Sequence, residues 1–384
     1  MEQWIKCTLG DILNFRRGHD LPKTSMQAGN IPVAGSNGVI GYHNECTPIS
    51  PCITIGRSGN VGTPYIYDTC WAHNTVLYID DYKGNDPKYL YYLLKTLPLS
   101  SFGGGSAVPT LNRNHIHPFE ILFCKDLSEQ KRIANLLSKI DDKIELNRQI
   151  NDNLEQQAQA LYKSWFVDFE PFKDGKFIDS ELGIIPEGWK ILPLSSLGSI
   201  ICGKTPSKSN KDFYDGNIPF IKIPDMHNKI FVSNSEDHLS DLGMNSQRNK
   251  TIPPYSILVS CIATVGLVCI NTKVCQTNQQ INTLIPYEDS YRIYLFLFLK
   301  SLREQLITLG SGGTTTLNVN TSQFSNLKII VPDTKSLKAF SSIAESLFQR
   351  INNNCDTNYM LSNLRDMILP KLMSGELKIN DLDC

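Results

Sequence analysis

The strongest constraint on the fold is an internal repeat. At the start of the two halves, three residues recur 185 positions later, namely Trp4 as Trp189, Leu9 as Leu194 and Gly18 as Gly203. Near the ends, four recur 207 positions later, namely Ile133 as Phe340, Ile140 as Leu347, Ile144 as Ile351 and Leu154 as Leu361. The tripeptide at 110–112 also returns at 316–318. Such a chain is expected to fold as two related units, with about twenty extra residues in the middle of the second.

Each half begins with short apolar runs separated by Gly, Pro, Asn and Asp, a pattern typical of strands and loops. We expect one strand-rich domain at 1–126 with a short helix near 87–95. A second such domain is expected at 187–332 with a helix at 291–306. The segment 170–186 is interpreted as a linker and 376–384 as a C-terminal tail. The expected fold class is α+β, with two related strand-rich domains separated by two long helices.

The long helices are predicted at 127–169 and 333–375, where seam residues follow the alternating four-three spacing of a coiled coil. Ser128 offers an N-cap for the first helix, and Pro370 should end or bend the second. The first seam is Ile133, Leu137, Ile140, Ile144, Asn147, Asn151, Leu154, Ala158, Leu161 and Trp165. The second is Phe340, Ala344, Leu347, Ile351, Asn354, Asn358, Leu361, Arg365, Ile368 and Leu372.

Asparagines in the middle of both seams indicate how the helices pair. An antiparallel arrangement places Asn147 opposite Asn358 and Asn151 opposite Asn354. Buried asparagine is a residue that fixes register in coiled coils. The helices are therefore expected to form an antiparallel coiled coil.

The same register pairs Trp165 with Phe340 and alternates small with large side chains, as close packing requires. Ile140 against Arg365 is its one poor match. A parallel pairing would also match asparagines, but it would place Ala158 beside Arg365. Two related antiparallel helices would give the molecule a pseudo-two-fold axis, which suits two half-sites on duplex DNA.

Composition indicates the class of protein but does not identify a ligand. With 41% hydrophobic and 20% charged residues in 384, the chain is typical of a globular protein of two or more domains. The net charge of −1 means that any nucleic-acid-binding surface must be local. The eleven cysteines lack C-x-x-C spacing and are expected to be reduced thiols. No secretory signal or membrane-spanning apolar run occurs, so we expect a cytoplasmic protein without a membrane partner.

Five short passages, taken together and in order, carry a resemblance to a known family. They are Gly203-Lys204-Thr205-Pro206-Ser207 followed by 217–220, the run 31–38, Ser128-Glu129-Gln130, the run 164–169, and the run 369–376. On these passages the chain resembles the specificity subunits of type I restriction–modification systems over nearly its whole length. One departure is that Lys335-Ser336-Leu337-Lys338 opens the second helix without the Glu-Gln of the first, which leaves its capping open.

The resemblance implies two target-recognition domains, each reading one half of a bipartite DNA sequence. It also implies that the coiled coil sets the unread gap and docks two adenine methyltransferase subunits, and that motor-endonuclease subunits can join the complex. S-adenosylmethionine, ATP and Mg²⁺ would then belong to partner subunits, and this chain would bind no cofactor.

Residues for catalysis by the chain itself are not found in the sequence. An amino-methyltransferase needs Asn, Asp or Ser before Pro-Pro-aromatic, and Ile252 stands in that position. No phosphate-binding G-x-x-x-x-G-K-[ST] loop occurs. His115 and His117 are expected on one face of a strand, without further metal ligands at suitable spacing. Pro332-Asp333 and Lys335 resemble part of a nuclease site but lack the second carboxylate. We therefore expect a non-catalytic subunit with no metal.

Candidate DNA contacts are polar and cationic residues in Gly-punctuated loops, because such side chains read base edges and bind phosphates. Arg57, between Gly56 and Gly59, is the foremost single candidate. In the first domain they are Arg16, Arg17, Lys23, Ser36, Asn37, Arg57, Ser58 and Arg113. In the second they are Lys204, Thr205, Ser207, Lys208, Lys222, Lys229, Asn278 and Gln279.

Two other classes of protein fit part of the sequence. A tandem adhesin or carbohydrate-binding protein could duplicate a strand-rich domain, but an export signal and disulfides would be expected. A coiled-coil scaffold would explain the helices and leave the polar loops without a role. A salt-dependent affinity for DNA would separate the scaffold from the DNA-binding reading.

Overall fold

The structure is a computed structural model that describes residues 4–103, 110–311 and 317–381. The chain forms two compact units: one contains the chain up to Leu146 and from Thr357 onward, and the other runs Asn147–Asp356. Each unit holds one strand-rich domain and a segment of each long helix. The expected α+β class with two related strand-rich domains is confirmed.

The first domain contains three sheets. Their strand orders are β2-β8-β5-β6, β4-β3-β7 and β1-β9, and β3 with β7 is the parallel pair. The strands are β1 Trp4–Thr8, β2 Asn14–Arg17, β3 Ile31–Gly35, β4 Gly38–His43, β5 Cys52–Gly56, β6 Pro64–Tyr67, β7 Trp71–Ala72, β8 Val76–Asp81 and β9 Glu120–Cys124. The helices are α1 Leu9–Ile12, α2 Pro87–Thr96 and α3 Arg113–Ile116, followed by the long helix α4 Leu127–Phe166.

The second domain repeats this plan with strand orders β13-β20-β17-β18-β15, β16-β14-β19 and β12-β21. The strands are β10 Phe177–Ser180, β11 Gly183–Pro186, β12 Lys190–Pro193, β13 Gly198–Cys202, β14 Tyr214–Ile221, β15 Phe231–Val232, β16 His238–Leu239, β17 Ile257–Ser260, β18 Val268–Asn271, β19 Gln276–Thr277, β20 Ile281–Pro286 and β21 Lys328–Val331. The helices are α5 Ile223–Met226, α6 Asp241–Ser246, α7 Arg292–Ser301, α8 Arg303–Gly310, α9 Thr321–Ser325 and the long helix α10 Thr334–Ser374.

Three features of the second unit refine the predictions. Extra residues lie at 222–237, where α5 and β15 replace the short turn that joins β3 to β4 in the first domain. The segment interpreted as a linker holds the hairpin of β10 and β11. The helix expected at 291–306 is divided into α7 and α8 at Leu302.

An aspartate caps the N-terminus of each long helix. The Asp126 carboxylate accepts the backbone N–H of Ser128 at 2.8 Å. The Asp333 carboxylate accepts the backbone N–H groups of Lys335 and Ser336, each at 3.0 Å, and the Ser336 hydroxyl at 2.7 Å. These bonds satisfy donors that a helix leaves unpaired at its start. The expected cap at Ser128 is thus wrong by two residues, and the open question at the second helix is answered by Asp333.

We expect Asp333→Ala to lower the free energy of unfolding by about 1 kcal/mol, because the helix loses its cap. Partial burial acts to raise the pKa of Asp333, but hydrogen bonds from Ser336, Trp189 and Lys335 outweigh it and hold that pKa below its ordinary value. The carboxylate therefore stabilises the fold above the unfolded-state pKa of about 3.9, and the contribution is lost as pH falls through the folded-state value.

Urea unfolding of both proteins at pH 7 and pH 3 measures this effect. The difference between wild type and Asp333→Ala should shrink at the lower pH. Lys335→Ala, which removes an exposed side chain and leaves the cap intact, is the control. An equal loss in both variants would contradict the capping role.

In the second unit, the two long helices run antiparallel. Asn354 donates to the side-chain carbonyl of Asn151 at 2.8 Å. Fourteen residues further along each helix, about 21 Å at the usual rise of about 1.5 Å per residue, the centroids of the Trp165 and Phe340 rings lie 6.0 Å apart. Both contacts join residues that the proposed register had paired. The hydrophobic core of the strand-rich domain extends to buried side chains of these two helices, which include Ala158, Phe340 and Phe348.

In the first unit, the helix segments also run antiparallel. The Arg365 guanidinium donates to the Asp141 carboxylate at 2.6 Å, and Asn358 donates to the backbone carbonyl of Ile144 at 3.2 Å. Arg365 thus turns toward the residue after Ile140, which resolves the one poor match of the register. The pairing of Asn147 with Asn358 joins different units and stays a prediction.

Pro370 does not end the second long helix, which continues to Ser374. The ten described cysteines are free thiols. In the described ranges, no helix is long and apolar enough to cross a membrane.

Candidate nucleic-acid interface

Four arginines meet in one cleft of the first domain. Arg16, Arg17, Arg57 and Arg113 were each proposed separately from the sequence, and together they line a cavity of about 410 Å³. The remaining lining residues are Leu77, Thr110, Leu111 and Asn112. Gathering four cations on one side of a chain of net charge −1 produces the local positive surface that composition alone does not reveal.

Backbone hydrogen bonds hold Arg57 in this cleft from both sides. Its N–H donates to the carbonyl of Thr75 at 2.8 Å, and its carbonyl accepts the N–H of Leu111 at 2.8 Å. Gly56 precedes it at a very tight turn, where an added Cβ would lie 1.7 Å from the Asn60 carbonyl oxygen. Only glycine fits there, so the turn that carries Arg57 has a fixed shape.

Arg16 and Arg17 end β2 and are exposed, and each lies near a carboxylate. The Arg16 guanidinium is 3.9 Å from Asp80, and that of Arg17 is 3.9 Å from Asp20. Exposed pairs at this distance are weak, so both cations remain available to another anion.

Arg113 opens α3, which Asn112 caps, and donates to the carbonyl of Phe15 at 3.3 Å. Nearby, His117 Nε2 accepts the N–H of Phe15 at 3.1 Å. Burial, with the Arg113 charge, lowers the pKa of His117, in keeping with a neutral acceptor. The expected strand with His115 and His117 on one face is wrong, because α3 and the turn after it occupy this segment. Across the described ranges, no three His, Cys, Asp or Glu residues are grouped as a metal site requires.

Arg57 differs from its neighbours in electrostatics. Burial lowers its pKa, and the adjacent charge of Arg17 lowers it further. Within the part of the chain that the structure describes, no carboxylate pairs with its guanidinium. An arginine nonetheless remains protonated at neutral pH. The cleft therefore holds an uncompensated, half-buried positive charge.

The other first-domain candidates divide into two groups. Ser36 lies beside the Arg57 turn, since a Cβ on Gly59 would stand 3.4 Å from its hydroxyl, and Ser58 forms a bridge with Thr110. Asn37 follows Ser36 in the exposed turn between β3 and β4. Lys23 is exposed in a 3-10 turn and does not line the cleft.

In the second domain, the structure brings together the segments 203–207 and 277–280. The Lys204 N–H donates to the Thr277 carbonyl at 2.9 Å, and the Thr205 hydroxyl donates to the Gln279 side-chain carbonyl at 2.8 Å. The segments approach this closely because Gly203 has no side chain, as an added Cβ would lie 2.2 Å from the Asn278 carbonyl oxygen.

The remaining second-domain candidates differ in whether their side chains are already bonded to a neighbour. The Asn278 amide is tied to Gln280 at 3.0 Å, and Ser207 bonds Ser209 at 2.7 Å. Lys222 is paired with Asp237 at 2.6 Å, and this hydrogen bond raises its pKa, so its charge is already compensated. Lys208 and Lys229 are exposed.

Matching backbone hydrogen bonds define which residues of the two domains are equivalent. The Gly18 N–H donates to the Val76 carbonyl, and the Gly203 N–H donates to the Ile281 carbonyl, each at 3.1 Å. In the same way, the Leu111 N–H donates to the Arg57 carbonyl, and the Val319 N–H donates to the Cys261 carbonyl, each at 2.8 Å. The latter pair shows that the repeated tripeptide at 110–112 is equivalent to 318–320, two positions beyond the match read from the sequence. Asn112 and Asn320 accordingly cap equivalent short helices.

This equivalence shows where the domains differ. The positions of the four cleft arginines are taken by uncharged residues in the second domain. Arg16, Arg17, Arg57 and Arg113 correspond to Ile201, Cys202, Cys261 and Thr321.

It also shows what the sequence reasoning missed. The Thr205–Gln279 pair corresponds to Asp20 and Asn74, which are hydrogen-bonded in the first domain. Extending the repeat past Gly18 by two residues would have identified Asp20. Both domains thus present a polar side-chain pair at the same place.

Comparisons with known proteins agree on one family. The family described as the type I restriction modification DNA specificity domain matches residues 1–156 and 186–368. The HindI specificity subunit of Haemophilus influenzae is 42% identical over 311 residues, which cover 66% of this chain and 68% of that protein. The MjaIX specificity subunit of Methanocaldococcus jannaschii is 32% identical over 308 residues, covering 77% and 70%. The fold is similar to that of the crystal structure of a type I restriction–modification S subunit from M. genitalium, with a TM-score of 0.63, 15% identity and 96% of each chain covered.

Proposed function

The chain belongs to the type I restriction–modification DNA specificity family, and from this premise we propose how its residues divide the task of recognition. It is a non-catalytic specificity subunit whose two repeats fit a bipartite DNA target. In our proposal the first domain binds its half-site through the four-arginine cleft. The second domain binds the other half-site through the surface formed by 203–207 and 277–280.

The four-arginine cleft is the observation that carries this proposal. DNA presents a regular row of phosphates and acceptor-rich base edges, and guanidinium groups bind both. Three of the four arginines are on the outer side of the domain as exposed residues, and Arg57 is half-buried between them. Hydroxyl groups from Ser36, Ser58 and Thr110 add neutral donors and acceptors beside the cations.

The second domain offers a different chemistry. Thr205 fixes the orientation of the Gln279 amide, and the exposed Lys204 and Lys208 supply positive charge nearby in sequence. An oriented amide can donate to and accept from a base edge, and lysines bind phosphates. The two domains are therefore suited to different half-sites.

The long helices are proposed to set the gap between the half-sites and to dock the methyltransferase subunits. Along α10, Met360, Leu364 and Met367 are exposed at a spacing that places them on one helix face, and Tyr359 is exposed beside them. Exposed apolar side chains grouped on a helix are typical of a docking surface for a protein partner. S-adenosylmethionine, ATP and Mg²⁺ act on partner subunits in this proposal, and motor-endonuclease subunits join the same complex in the cytoplasm.

A map of N6-methyladenine in the source genome, with and without this gene, tests the proposal. We expect methylation at one bipartite motif to disappear when the gene is deleted and to return when the intact gene is supplied. The motif gives both half-sites and the gap. An unchanged map in a strain that expresses the methyltransferase would contradict the specificity role and favour a scaffold.

A further inference from the structure

We propose that Arg57 reads a guanine in the half-site bound by the first domain, while Arg16, Arg17 and Arg113 bind the flanking phosphates. This assignment rests on the proposed function. It identifies one base and one specificity-determining side chain, and it distinguishes the roles of four arginines that share a cleft.

The first argument is the rigidity of the Arg57 backbone. The Arg57 N–H donates to the Thr75 carbonyl, and the Arg57 carbonyl accepts the Leu111 N–H. The Gly62 N–H donates to the Gly56 carbonyl at 2.8 Å and so closes the same turn. A side chain that reads a base must start from a fixed point, because a small displacement removes a bidentate contact. Phosphate contacts tolerate more movement, since a phosphate presents several oxygens.

The second argument is the state of the four guanidinium groups. Arg16 and Arg17 lie near Asp80 and Asp20, and Arg113 donates to the Phe15 carbonyl. Arg57 has no such partner among the described residues, so its whole fork of N–H donors is free to bind a ligand. The planar guanidinium fork matches the O6 and N7 acceptors of guanine, and this is the commonest specific contact in the major groove.

The third argument is the position of Arg57 relative to the other cations. It is half-buried, whereas Arg16, Arg17 and Arg113 are exposed around it. DNA phosphates lie on the outside of the duplex and base edges lie within the groove. Protein groups that reach base edges are therefore flanked by groups that reach phosphates.

The fourth argument is the comparison of the two domains. Cys261 takes the place of Arg57, and Ser260 that of Gly56, in a turn closed by the same main-chain hydrogen bonds. The Gly266 N–H donates to the Ser260 carbonyl at 2.9 Å, and the Val319 N–H donates to the Cys261 carbonyl at 2.8 Å. The backbone of the turn is thus kept while the guanidinium is absent. A difference confined to the side chain is what two domains with different half-sites require, and it places the guanine in the first half-site.

Selection from a randomised duplex library tests this assignment, using the full chain in complex with its methyltransferase subunit. We compare wild type, Arg57→Gln and Arg16→Gln. Arg57→Gln should lose the preference for guanine at one position of one half-site, by about 5- to 150-fold, and keep every other position. Arg16→Gln, the matched control from the same cleft, should keep the whole motif, bind all sequences more weakly and show a smaller salt dependence.

A second measurement uses wild-type protein, so it does not depend on the folding of a variant. Replacing each guanine of the selected half-site by 7-deazaguanine removes the N7 acceptor. One replacement should weaken wild-type binding several-fold, and Arg57→Gln should be insensitive to that replacement.

The outcomes separate this assignment from the proposed function. One outcome would overturn the assignment and leave DNA recognition intact. In it, the wild-type complex selects a bipartite motif, Arg57→Gln weakens binding to all sequences equally, and no guanine is sensitive to replacement by 7-deazaguanine. A wild-type complex that selects no bipartite motif would overturn both.

Discussion

Replacing Arg16, Arg17, Arg57 and Arg113 together with glutamine should lower the affinity of the complex for its target by at least about 100-fold. Each hydrogen bond to a charged group contributes on the order of 1.5–3 kcal/mol, so losing four exceeds the roughly 2.7 kcal/mol that a 100-fold change represents. The slope of log affinity against log salt should also fall, by about 0.9 for each phosphate contact removed. Three phosphate-binding arginines therefore predict a change of about 3 in that slope.

The control removes the same charge from the same unit without touching the cleft. Lys88, Lys125, Lys131 and Lys139 are exposed and do not line the cavity, so their replacement by glutamine keeps the net charge of the two variants equal. Titration of both variants with the target duplex at several salt concentrations measures affinity and slope. Equal losses in the two variants would mean that overall charge, and not the cleft, attracts DNA.

Replacing Phe340 with alanine should destabilise the second unit by about 3–5 kcal/mol. Its ring is fully buried and lies 4.8 Å from Phe166, 6.0 Å from Trp165 and 6.5 Å from Tyr162, between centroids. The substitution leaves a cavity where the two long helices and the strand-rich domain share one core. Because the lost interactions lie between the helices, their antiparallel pairing in this unit should weaken with it.

Urea unfolding followed by circular dichroism and tryptophan fluorescence measures this loss, with Trp165 and Trp189 reporting on the second unit. Ser342→Ala, at an exposed position on the same helix, should change stability by no more than about 0.5 kcal/mol. A Phe340→Ala protein as stable as this control would contradict the shared core.

The helix pairing was largely predictable from the sequence because its signal is periodic. Seam residues repeat at fixed spacing, and asparagines at matching depths leave few registers that bury them together. The observed contacts of Asn151 with Asn354 and of Trp165 with Phe340 follow that register. Arg365 looked misplaced only because the neighbouring Asp141, which binds it, was not counted as part of the seam.

The cleft was predictable residue by residue but not as a site. Arg16, Arg57 and Arg113 are far apart in sequence, and they meet because β2 and β5 both pair with β8 while Leu111 bonds to Arg57. No local pattern encodes such long-range pairing. The caps were different, since Asp126 and Asp333 also lie 207 positions apart and could have been found by extending the repeat.

Lys222 is a candidate whose surroundings could not be read from the sequence. As a cation in a polar segment it resembled a DNA contact, but Asp237 neutralises it. The partner lies in the same extra segment that the first domain lacks, so comparison of the repeats gave no warning. A cation is a dependable candidate only when the carboxylates near it in the fold are known.

The equivalent turns of the two domains are held by main-chain N–H and carbonyl groups, which every residue type except proline supplies. The bonds of Leu111 to Arg57 and of Val319 to Cys261 have the same length, although a guanidinium projects from one turn and a thiol from the other. Foldability and recognition are therefore encoded in separate atoms of the same residues. A descendant of this protein could acquire a new DNA target through a few side-chain replacements, with its folding undisturbed, and such changes would be open to selection one at a time.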